Sequence, residues 1–323
     1  MSNADLKNVV RIGLSAAIVS VADESPQVLV VHHDKGPDAL PFGPFDPLKH
    51  RTLESGLRTW VSEQTYLELG YAEQLYTFGD RGRHMLKAGE GPRLVSVGYL
   101  ALTRGGNTPK APDTEWRDWY GFFPWEDWRS EKPAIIDATI APALKAFADS
   151  AQTNALRDAR RERIRLAFGL GGIRWDEEKT LERYELLYEA GLIEESVRDG
   201  RAKAGARPHK ALGISMVFDH RRILATAIAR LRGKMKYRPV VFELMPPGFT
   251  LLELQRTVEA ASGVRLHKQN FRRLVEDQGL VERTGKYAPI ARGRPAELFR
   301  FRREVVSERP APGLRMGTRR SGS

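Results

Sequence analysis

Apolar residues in the first third of the chain follow two kinds of spacing. Five apolar segments predict strands: residues 9–21, 28–32, 73–78, 93–103 and 116–125. Between the second and third of them, Leu53, Leu57, Trp60 and Val61 recur at helical spacing and predict one amphipathic helix over 50–66. This part of the chain is therefore predicted to be an α+β domain.

The rest of the chain is predicted to be mainly helical. Residues 133–212 are strongly charged and helical in pattern, which indicates a helical insertion or small subdomain. A further helix is predicted over 219–232. Thr250 followed by Glu253 fits a capping box, in which each side chain satisfies an unpaired backbone N–H. That box marks the start of a helix over 250–261.

The next elements follow the order of a winged helix-turn-helix. A turn with Gly263 leads to a helix over 267–278, and strands over 280–283 and 298–301 flank a basic loop. The helix carries Lys and Arg, which reach guanine edges or phosphates, and Gln and Asn, which bond adenine edges. The loop adds cations suited to a wing over phosphates. The predicted DNA-binding residues are Lys268, Gln269, Asn270, Arg272 and Arg273 on the helix and Lys286, Arg292 and Arg294 on the wing.

The net charge of +11 is unevenly distributed. Residues 1–231 contain 32 basic and 32 acidic residues, whereas 232–323 contain 20 basic and 9 acidic ones. A neutral body with a basic end indicates a polyanion-binding module attached to a domain with another role. A solubility tail over 309–323 would explain only four of the positive charges, so the rest of the excess belongs to the region before it.

Composition argues against several classes of protein. No run of eighteen apolar residues occurs, and the N-terminus lacks the pattern of an export signal. The absence of cysteine excludes disulfides, cysteine zinc sites and thiol catalysis. His32 and His33 are adjacent, and we interpret them as a strand end and not as a metal pair. We expect a cytoplasmic protein with no membrane partner, no metal site and no resident cofactor.

A long set of spaced residues resembles the Nudix-related transcriptional regulators of NAD metabolism. The set includes Asp219-His220, Ile223-Leu224, Leu231-Arg232-Gly233-Lys234, Phe242-Glu243-Leu244, Phe249-Thr250-Leu251, Asn270-Phe271-Arg272-Arg273 and Gly293-Arg294-Pro295-Ala296. In the N-terminal half, Leu40-Pro41-Phe42-Gly43 and Phe123-Pro124-Trp125 are similar to segments of the same family. With its insertion over 133–212, the chain resembles the variant form found in alphaproteobacteria.

The resemblance implies a domain organisation and a function. It implies a Nudix-like α/β/α sandwich with a helical insertion, followed by a C-terminal winged helix-turn-helix. The units are 1–132 (completed by a helix over 216–232), 133–212, 233–304 and a disordered basic tail over 305–323. The implied protein is a homodimer that represses NAD biosynthesis genes from a palindromic operator in double-stranded DNA. Its implied effector is an adenine nucleotide: NAD, ATP or ADP-ribose.

The segment that resembles a Nudix box lacks most of its acidic residues. The box, G-x5-E-x7-R-E-U-x-E-E-x-G-U with U aliphatic, needs several glutamates on one helix face because Mg²⁺ prefers hard oxygen ligands. With Arg58 at the arginine of the box, His50 stands at the first glutamate, Thr59 at the second, and Ser62 and Glu63 at the pair. One glutamate of four is present, so we expect no catalytic residue and at most very weak hydrolysis.

A pocket of this kind can bind a nucleotide without its metal ligands. Arginines can meet the phosphates, and an aromatic ring can stack on adenine. The candidate effector-binding residues are Arg58, Glu63, Phe78, Arg81, Arg83 and Tyr99, with His84 as a further phosphate candidate. Phe78 and Tyr99 also have the pattern of core residues, so both interpretations stay open.

Two other functions stay open. One is an active Nudix hydrolase of ADP-ribose or a related nucleotide, whose basic domain serves RNA or a protein partner. The other is an RNA-binding adaptor. Mg²⁺-dependent release of phosphate or AMP distinguishes the first, and a comparison of duplex DNA with single-stranded RNA at matched salt distinguishes the second.

Overall fold

The computed structural model describes residues 10–32, 36–80, 82–83, 93–105, 111–202, 208–288, 295–308 and 310–314. The N-terminal strands are β1 (Val10–Ala22), β2 (Ser25–Val31), β3 (Phe42–Pro44), β4 (Tyr71–Phe78), β5 (Arg93–Leu102) and β6 (Thr114–Asp118), and helix α1 (Leu53–Thr65) lies between β3 and β4. The insertion contains α2 (Ala141–Asp149), α3 (Asn154–Phe168), α4 (Thr180–Glu189) and α5 (Glu194–Arg198). The C-terminal elements are α6 (His220–Tyr237), α7 (Leu251–Ser262), α8 (Lys268–Asp277), β7 (Val281–Tyr287), β8 (Glu297–Phe301) and α9 (Val305–Glu308).

The N-terminal strands form one mixed sheet in the order β4-β5-β1-β2-β6, with β3 beside β1. Strands β1 and β5 are parallel, and the other pairs are antiparallel. Alternate residues of β1 face opposite sides of the sheet. Leu14 and Ile18 belong to the cluster that contains Leu57 of α1, whereas Ala17 and Val19 belong to the cluster that contains α6. The sheet is thus covered by a helix on each face, which confirms the expected α/β/α sandwich.

Three predicted elements differ from those in the structure. The tail expected to be disordered over 305–323 begins with helix α9, and its residues Val305 and Leu314 are buried in the core. The strand expected over 116–125 ends at Asp118, whose carboxylate accepts a hydrogen bond from the Tyr120 N–H at 2.8 Å and starts a 3₁₀ turn. The aromatic residues after it, including Phe123 and Trp125, are buried core residues and not strand residues. Helix α6 runs five residues beyond its predicted end at 232, and two lysines in its last turn suit the negative end of its dipole.

The C-terminal elements form the expected winged helix-turn-helix. The Thr250 side chain accepts from the Glu253 N–H, and the Glu253 carboxylate accepts from the Thr250 N–H at 2.7 Å, so the predicted capping box is present. Helix α7 ends at Gly263, whose φ of 77° lies in the left-handed region. β7 and β8 pair as an antiparallel hairpin, and Phe249 pairs with Phe299 beside it. In the described residues, no helix is long and apolar enough to cross a membrane.

The helical insertion shares a core with the rest of the chain. One buried cluster contains Leu144, Phe168 and Leu187 of the insertion together with residues of the sheet, α6 and α7. The apolar contacts run without a break through these parts and mark no boundary between them. The domain boundaries expected from the sequence therefore stay predictions.

A buried ion cluster joins the same parts through polar contacts. Glu126, which follows the sheet, accepts hydrogen bonds from Arg183 of α4 at 2.6 and 2.9 Å and from Arg232 of α6. Arg232 also donates to the Ala261 carbonyl of α7 at 3.0 Å. The three charged side chains are fully buried. Burial raises the pKa of Glu126, but the guanidinium groups of Arg183 and Arg232 outweigh that effect and hold this pKa below its ordinary value.

We predict that Glu126→Ala destabilises the protein by about 3–5 kcal/mol, because it leaves two buried guanidinium groups without a counter-charge. Urea denaturation followed by circular dichroism measures the change. A matched control is Glu162→Ala, which removes an exposed carboxylate from its pair with Arg165 and should leave the midpoint unchanged. Equal midpoints for the two variants would show that the buried cluster does not stabilise the fold.

Candidate nucleic-acid interface and effector site

Helix α8 separates an apolar face from a polar one. Phe271 and Val275 are buried against the core, and Leu274 is half-buried. The five residues that the sequence predicts as base-reading are all exposed: Lys268, Gln269, Asn270, Arg272 and Arg273. The structure thus presents these side chains together on one surface, and their contact with DNA stays a prediction.

Two buried polar residues, which the sequence pattern did not single out, fix the turn before α8. The Glu259 carboxylate accepts hydrogen bonds from the Leu266 N–H at 2.8 Å and from Gln255 at 3.0 Å, and Gln255 donates to the Leu266 carbonyl at 3.0 Å. These bonds satisfy the backbone of the turn and set the direction in which α8 leaves it. A Glu and a Gln four residues apart on α7 are the only signal of this role in the sequence.

The charges of α8 are arranged against its own dipole. No acidic residue lies in its first turn and no basic residue in its last, where Glu276 and Asp277 stand instead. Carboxylates stabilise a helix near its N-terminus and cations near its C-terminus, so this arrangement costs stability. Within the described residues, no carboxylate lies within 4.0 Å of the charged nitrogens of Lys268, Arg272 or Arg273. Unpaired cations at the N-terminal end of a helix are what a phosphate backbone or a base edge requires.

Two arginines in the described part of the hairpin are paired with carboxylates. Arg283 pairs with Glu297 across the hairpin at 3.0 Å, and Arg300 pairs with Glu282 at 2.5 Å. Lys286 is exposed beside Gly285, whose φ of 72° turns the strand where the register shifts. The other two predicted wing residues, Arg292 and Arg294, lie outside the described residues.

The winged helix is fixed to the N-terminal body by backbone and side-chain hydrogen bonds. The Trp128 N–H donates to the Gly263 carbonyl at 2.7 Å, and the Tyr120 hydroxyl donates to the Ala260 carbonyl at 2.8 Å. Arg265 donates to the carbonyl of Arg129 at 2.8 Å. These contacts surround the turn before α8 and fix the position of that turn relative to the body.

The predicted aromatic effector residues do not form one pocket. Phe78 is 1 % exposed and belongs to the cluster on the α6 face of the sheet, whereas Tyr99 is 3 % exposed and belongs to the cluster under α1. The two rings lie on opposite faces because of the alternation of side chains along paired strands. We therefore correct both assignments: these aromatic residues are part of the core and do not present a face for stacking.

Two of the three predicted arginines are also occupied. Arg58 donates to the backbone carbonyls of Leu69 and Gly70 and to Glu54, so it fastens α1 to the segment that follows it. Arg83 is 11 % exposed and is bound by Glu185 of the insertion, which corrects its assignment as a free phosphate ligand. Arg81 and His84 lie outside the described residues, and Glu63 is exposed on α1.

Arg83 belongs to a charged cluster at the N-terminal end of α6. Its guanidinium contacts Glu185 at 2.8 Å and Asp219 at 3.7 Å and lies 3.7 Å from the centroid of the Tyr188 ring. Arg222 of α6 contacts the same two carboxylates, at 2.5 and 3.1 Å. Burial raises the pKa of Asp219 to about 6, although both arginines oppose this shift. The loop after β4, the insertion and α6 thus meet at one polar cluster.

Two of the residues in the segment that resembles a Nudix box, both at positions of metal-binding glutamates, form local hydrogen bonds instead. The His50 ring is buried and accepts from the Asp46 N–H, and the Thr59 hydroxyl donates to the Ser55 carbonyl.

His32 bonds Asp38 and Glu115 at 2.8 and 2.9 Å, and its neighbour His33 lies outside the described residues. In the described part of the chain, no group of three or more His, Asp or Glu side chains is arranged to hold a metal ion.

Two surface cavities lie away from the predicted effector residues. A cavity of about 440 Å³ between α2 and α3 has a mainly apolar lining that includes Ala141, Ile164 and Leu170. A second one, of about 500 Å³, lies between the body and the insertion and is lined by Tyr120, Lys210 and neighbouring residues. No residue predicted to bind the effector contributes to either lining, so the structure does not place the effector in these cavities.

Comparison with known proteins identifies the C-terminal part. Residues 241–301 match the family model of the NrtR DNA-binding winged helix domain. The chain is 45% identical over 92 residues to the curated ADPR responsive transcriptional repressor NtrR of Acinetobacter baylyi. That match spans 28% of this chain and 36% of the relative's length.

Solved structures extend the similarity to the fold of most of the chain. Shewanella oneidensis NrtR, crystallised with a 27mer DNA, has a TM-score of 0.51 and 20% identity over 92% of this chain and 95% of its own. A MutT/nudix family protein from Enterococcus faecalis has a TM-score of 0.52 and 15% identity over 91% of this chain and 87% of its own. The resemblance to Nudix-related regulators is thus confirmed in the winged helix by sequence and over most of the chain by fold.

The raised pKa of Asp219 predicts a specific dependence of stability on pH. Because the folded state holds this proton more tightly than the unfolded state does, the free energy of unfolding should fall as the pH rises from about 4 to about 6. The contribution at stake is about 3 kcal/mol. Asp219→Asn should remove this part of the profile, as measured by urea denaturation between pH 4 and 7. Asp137→Asn, at an exposed residue, is the control, and parallel profiles for wild type and Asp219→Asn would contradict the assignment.

Proposed function

We propose that this protein is a DNA-binding transcription regulator that represses genes of NAD biosynthesis in response to an adenine nucleotide. The observation that carries the proposal is the exposed face of α8, on which three unpaired cations and two base-reading amides stand together. The match of residues 241–301 to a DNA-binding winged helix domain supports the same role. The choice of target genes rests on the resemblance to regulators of NAD metabolism.

A homodimer on a palindromic operator in double-stranded DNA is the arrangement that we propose for binding. A two-fold axis between two copies would present two α8 helices to two half-sites. Adjacent major grooves on one side of the duplex lie about 34 Å apart, which sets the separation of the two helices. The basic excess in residues 232–323 supplies the attraction to phosphate that such a complex needs.

ADP-ribose is the effector that we place first among the three candidates. The curated relative that matches this chain carries the description of an ADPR responsive repressor, which favours ADP-ribose over NAD and ATP. The sandwich around β1 and β5 is the part proposed to bind it. Of the six residues predicted from the sequence, Glu63 is exposed, and Arg81 lies outside the described residues.

Helix α6 is the proposed connection between the effector and the DNA. Its N-terminal end contacts Arg83 through Asp219, and Arg83 follows β4 in the body. Near its C-terminal end, Arg232 donates to the Ala261 carbonyl of α7. A single helix therefore links the loop after β4 to the winged helix, and a small shift at one end would move the other. Binding energy at the effector site could in this way change the separation of paired recognition helices.

We propose that the Nudix-like domain binds its nucleotide without hydrolysing it. The support is the low number of carboxylates in the box, where His50 and Thr59 replace two of four glutamates and form local hydrogen bonds instead. A lone glutamate does not complete the usual cluster of oxygen ligands for Mg²⁺. Incubation with ADP-ribose and Mg²⁺ should therefore release no AMP, and release that disappears in Glu63→Gln would favour the hydrolase.

We predict that Arg272→Ala and Arg273→Ala each weaken binding to operator DNA by about 1–3 kcal/mol, roughly 5- to 150-fold in Kd. Both side chains are exposed, so the fold should be unaffected. Arg161→Ala, at an exposed arginine of α3, is the matched control and should bind as the wild type does. The measurement is fluorescence anisotropy with a labelled duplex at moderate salt. Unchanged affinity in both variants would show that α8 is not the recognition helix.

We predict that ADP-ribose stabilises the protein against heat and changes its affinity for DNA. A ligand at one hundred times its Kd adds about 2.7 kcal/mol to the free energy of unfolding. Thermal-shift titrations with ADP-ribose, NAD and ATP rank the three ligands, and the Kd for operator DNA is measured with and without the strongest. Coupling of about 5- to 150-fold is typical of allosteric regulators. If none of the three nucleotides raises Tm, the proposed effector class is wrong.

A further inference from the structure

We propose that the loop of the insertion between α3 and α4, residues 169–175, is a second DNA-contacting element that binds backbone phosphates beside the recognition helix. The inference rests on the proposed function and extends its DNA site to a part of the chain outside the winged helix. The ligand is the phosphate backbone of duplex DNA immediately outside the operator bases that α8 reads. The contacting residue is Arg174, together with the glycines that precede it.

The loop lies against the turn that leads into α8. The rings of Trp175 and Trp128 are in contact, with centroids 4.4 Å apart. Trp128 in turn donates its N–H to the Gly263 carbonyl at 2.7 Å and forms a bridge with Val264. Trp128 therefore contacts both the insertion loop and the turn of the helix-turn-helix, and lies between them.

Buried contacts hold the loop in one position. The Arg183 guanidinium lies 3.7 Å from the centroid of the Trp175 ring, and Arg183 is itself held by Glu126. Gly169 ends α3 with a φ of 61°, and a Cβ at that position would lie 3.1 Å from the Trp175 backbone nitrogen. Because the loop is fixed before DNA arrives, a contact made by Arg174 orders only its own side chain and no further backbone.

The charges beside the turn favour a polyanion. Arg174, Arg265 and Lys268 are exposed, and we call these three side chains the basic ridge. Within the described residues, no carboxylate lies within 4.0 Å of their charged nitrogens. Of the nearby carboxylates, Asp127 pairs with Arg129 at 2.8 Å and Glu178 with Lys236 at 2.5 Å, whereas Asp176 accepts the Glu178 N–H at 3.0 Å. The ridge therefore continues the positive surface of α8 toward the insertion.

The glycines of the loop leave room for a large, flat ligand. Gly171 and Gly172 are exposed and have φ values of 63° and 82°. A Cβ added at Gly172 would meet no atom within 4 Å, so the surface beside Arg174 is open. Glycine permits the backbone of a protein to approach a sugar-phosphate chain closely. An arginine on such a loop, beside the groove-reading helix, positions the duplex and does not read its sequence.

The test uses two duplexes and one pair of matched arginine variants. The short duplex covers only the operator sequence, and the long one extends it by about one helical turn on each side. Arg174→Ala should weaken binding to the long duplex about fivefold, and Arg174→Glu should weaken it more. Both should leave the short duplex unaffected and should lower the salt slope on the long duplex by about one. Arg11→Ala is the control. Arg11 is exposed at the start of β1, whereas Glu24, which follows the end of β1, contacts Arg256 of α7. The strand between them is roughly 40 Å long, so Arg11 lies far from α7.

The outcomes separate this inference from the proposed function. If Arg174→Ala and Arg174→Glu bind both duplexes as the wild type does while Arg272→Ala binds them more weakly, the loop does not contact DNA and the winged helix does. If the wild type binds neither duplex, the proposed function itself fails. If Arg174→Glu instead abolishes retention of an acidic protein partner and leaves DNA binding intact, the ridge is a protein interface and the inference is overturned. Equal Tm values for the variants and the wild type establish that folding is unchanged.

Discussion

The carboxylate of Glu126 is shared by two buried guanidinium groups that come from different parts of the chain. Arg183 belongs to the insertion and Arg232 to the long helix α6, and Arg232 also binds the backbone of α7. Charges as deeply buried as these are tolerated only when each has a partner and further hydrogen bonds. The sheet, the insertion and the winged helix must therefore be in place together. The position of α8 relative to the body follows from this requirement, since the turn before α8 is bonded to residues near Glu126.

The sequence could predict the elements whose signals are local. The capping box at Thr250 and the two faces of α8 follow from residues within one or two turns of each other, and both are present in the structure. The sequence could not predict the roles of Arg83 and Glu126. Their partners stand 102 and 57 or more residues away, and no spacing reveals such pairs. For the same reason Arg83 resembled a ligand contact in a glycine-bearing loop, although Glu185 already binds it.

Helix α8 presents its proposed DNA-contacting residues at a cost in stability. Its cations are placed where the dipole disfavours them, and its carboxylates stand at the opposite end. Stability is supplied elsewhere, by Phe271 and Val275 in the core and by the bonds that Gln255 and Glu259 make to the turn. Departures from local preference are expected at functional sites, because function and not stability selects the residues there. The proposed effector site lacks a comparable signature among the described residues.

The glycine that ends α7 limits which winged-helix domains this body could accept during evolution. A Cβ at Gly263 would lie 2.4 Å from the Glu126 carbonyl oxygen and 2.9 Å from both the Tyr120 hydroxyl and an Arg232 nitrogen. A winged helix taken from another protein would fit this body only if it brought a glycine to that place and offered the carbonyl oxygens that Trp128 and Arg232 bind. An exchange of winged-helix domains between such proteins would therefore yield folded chimaeras mainly when the N-terminal body and the winged helix descend from the same lineage.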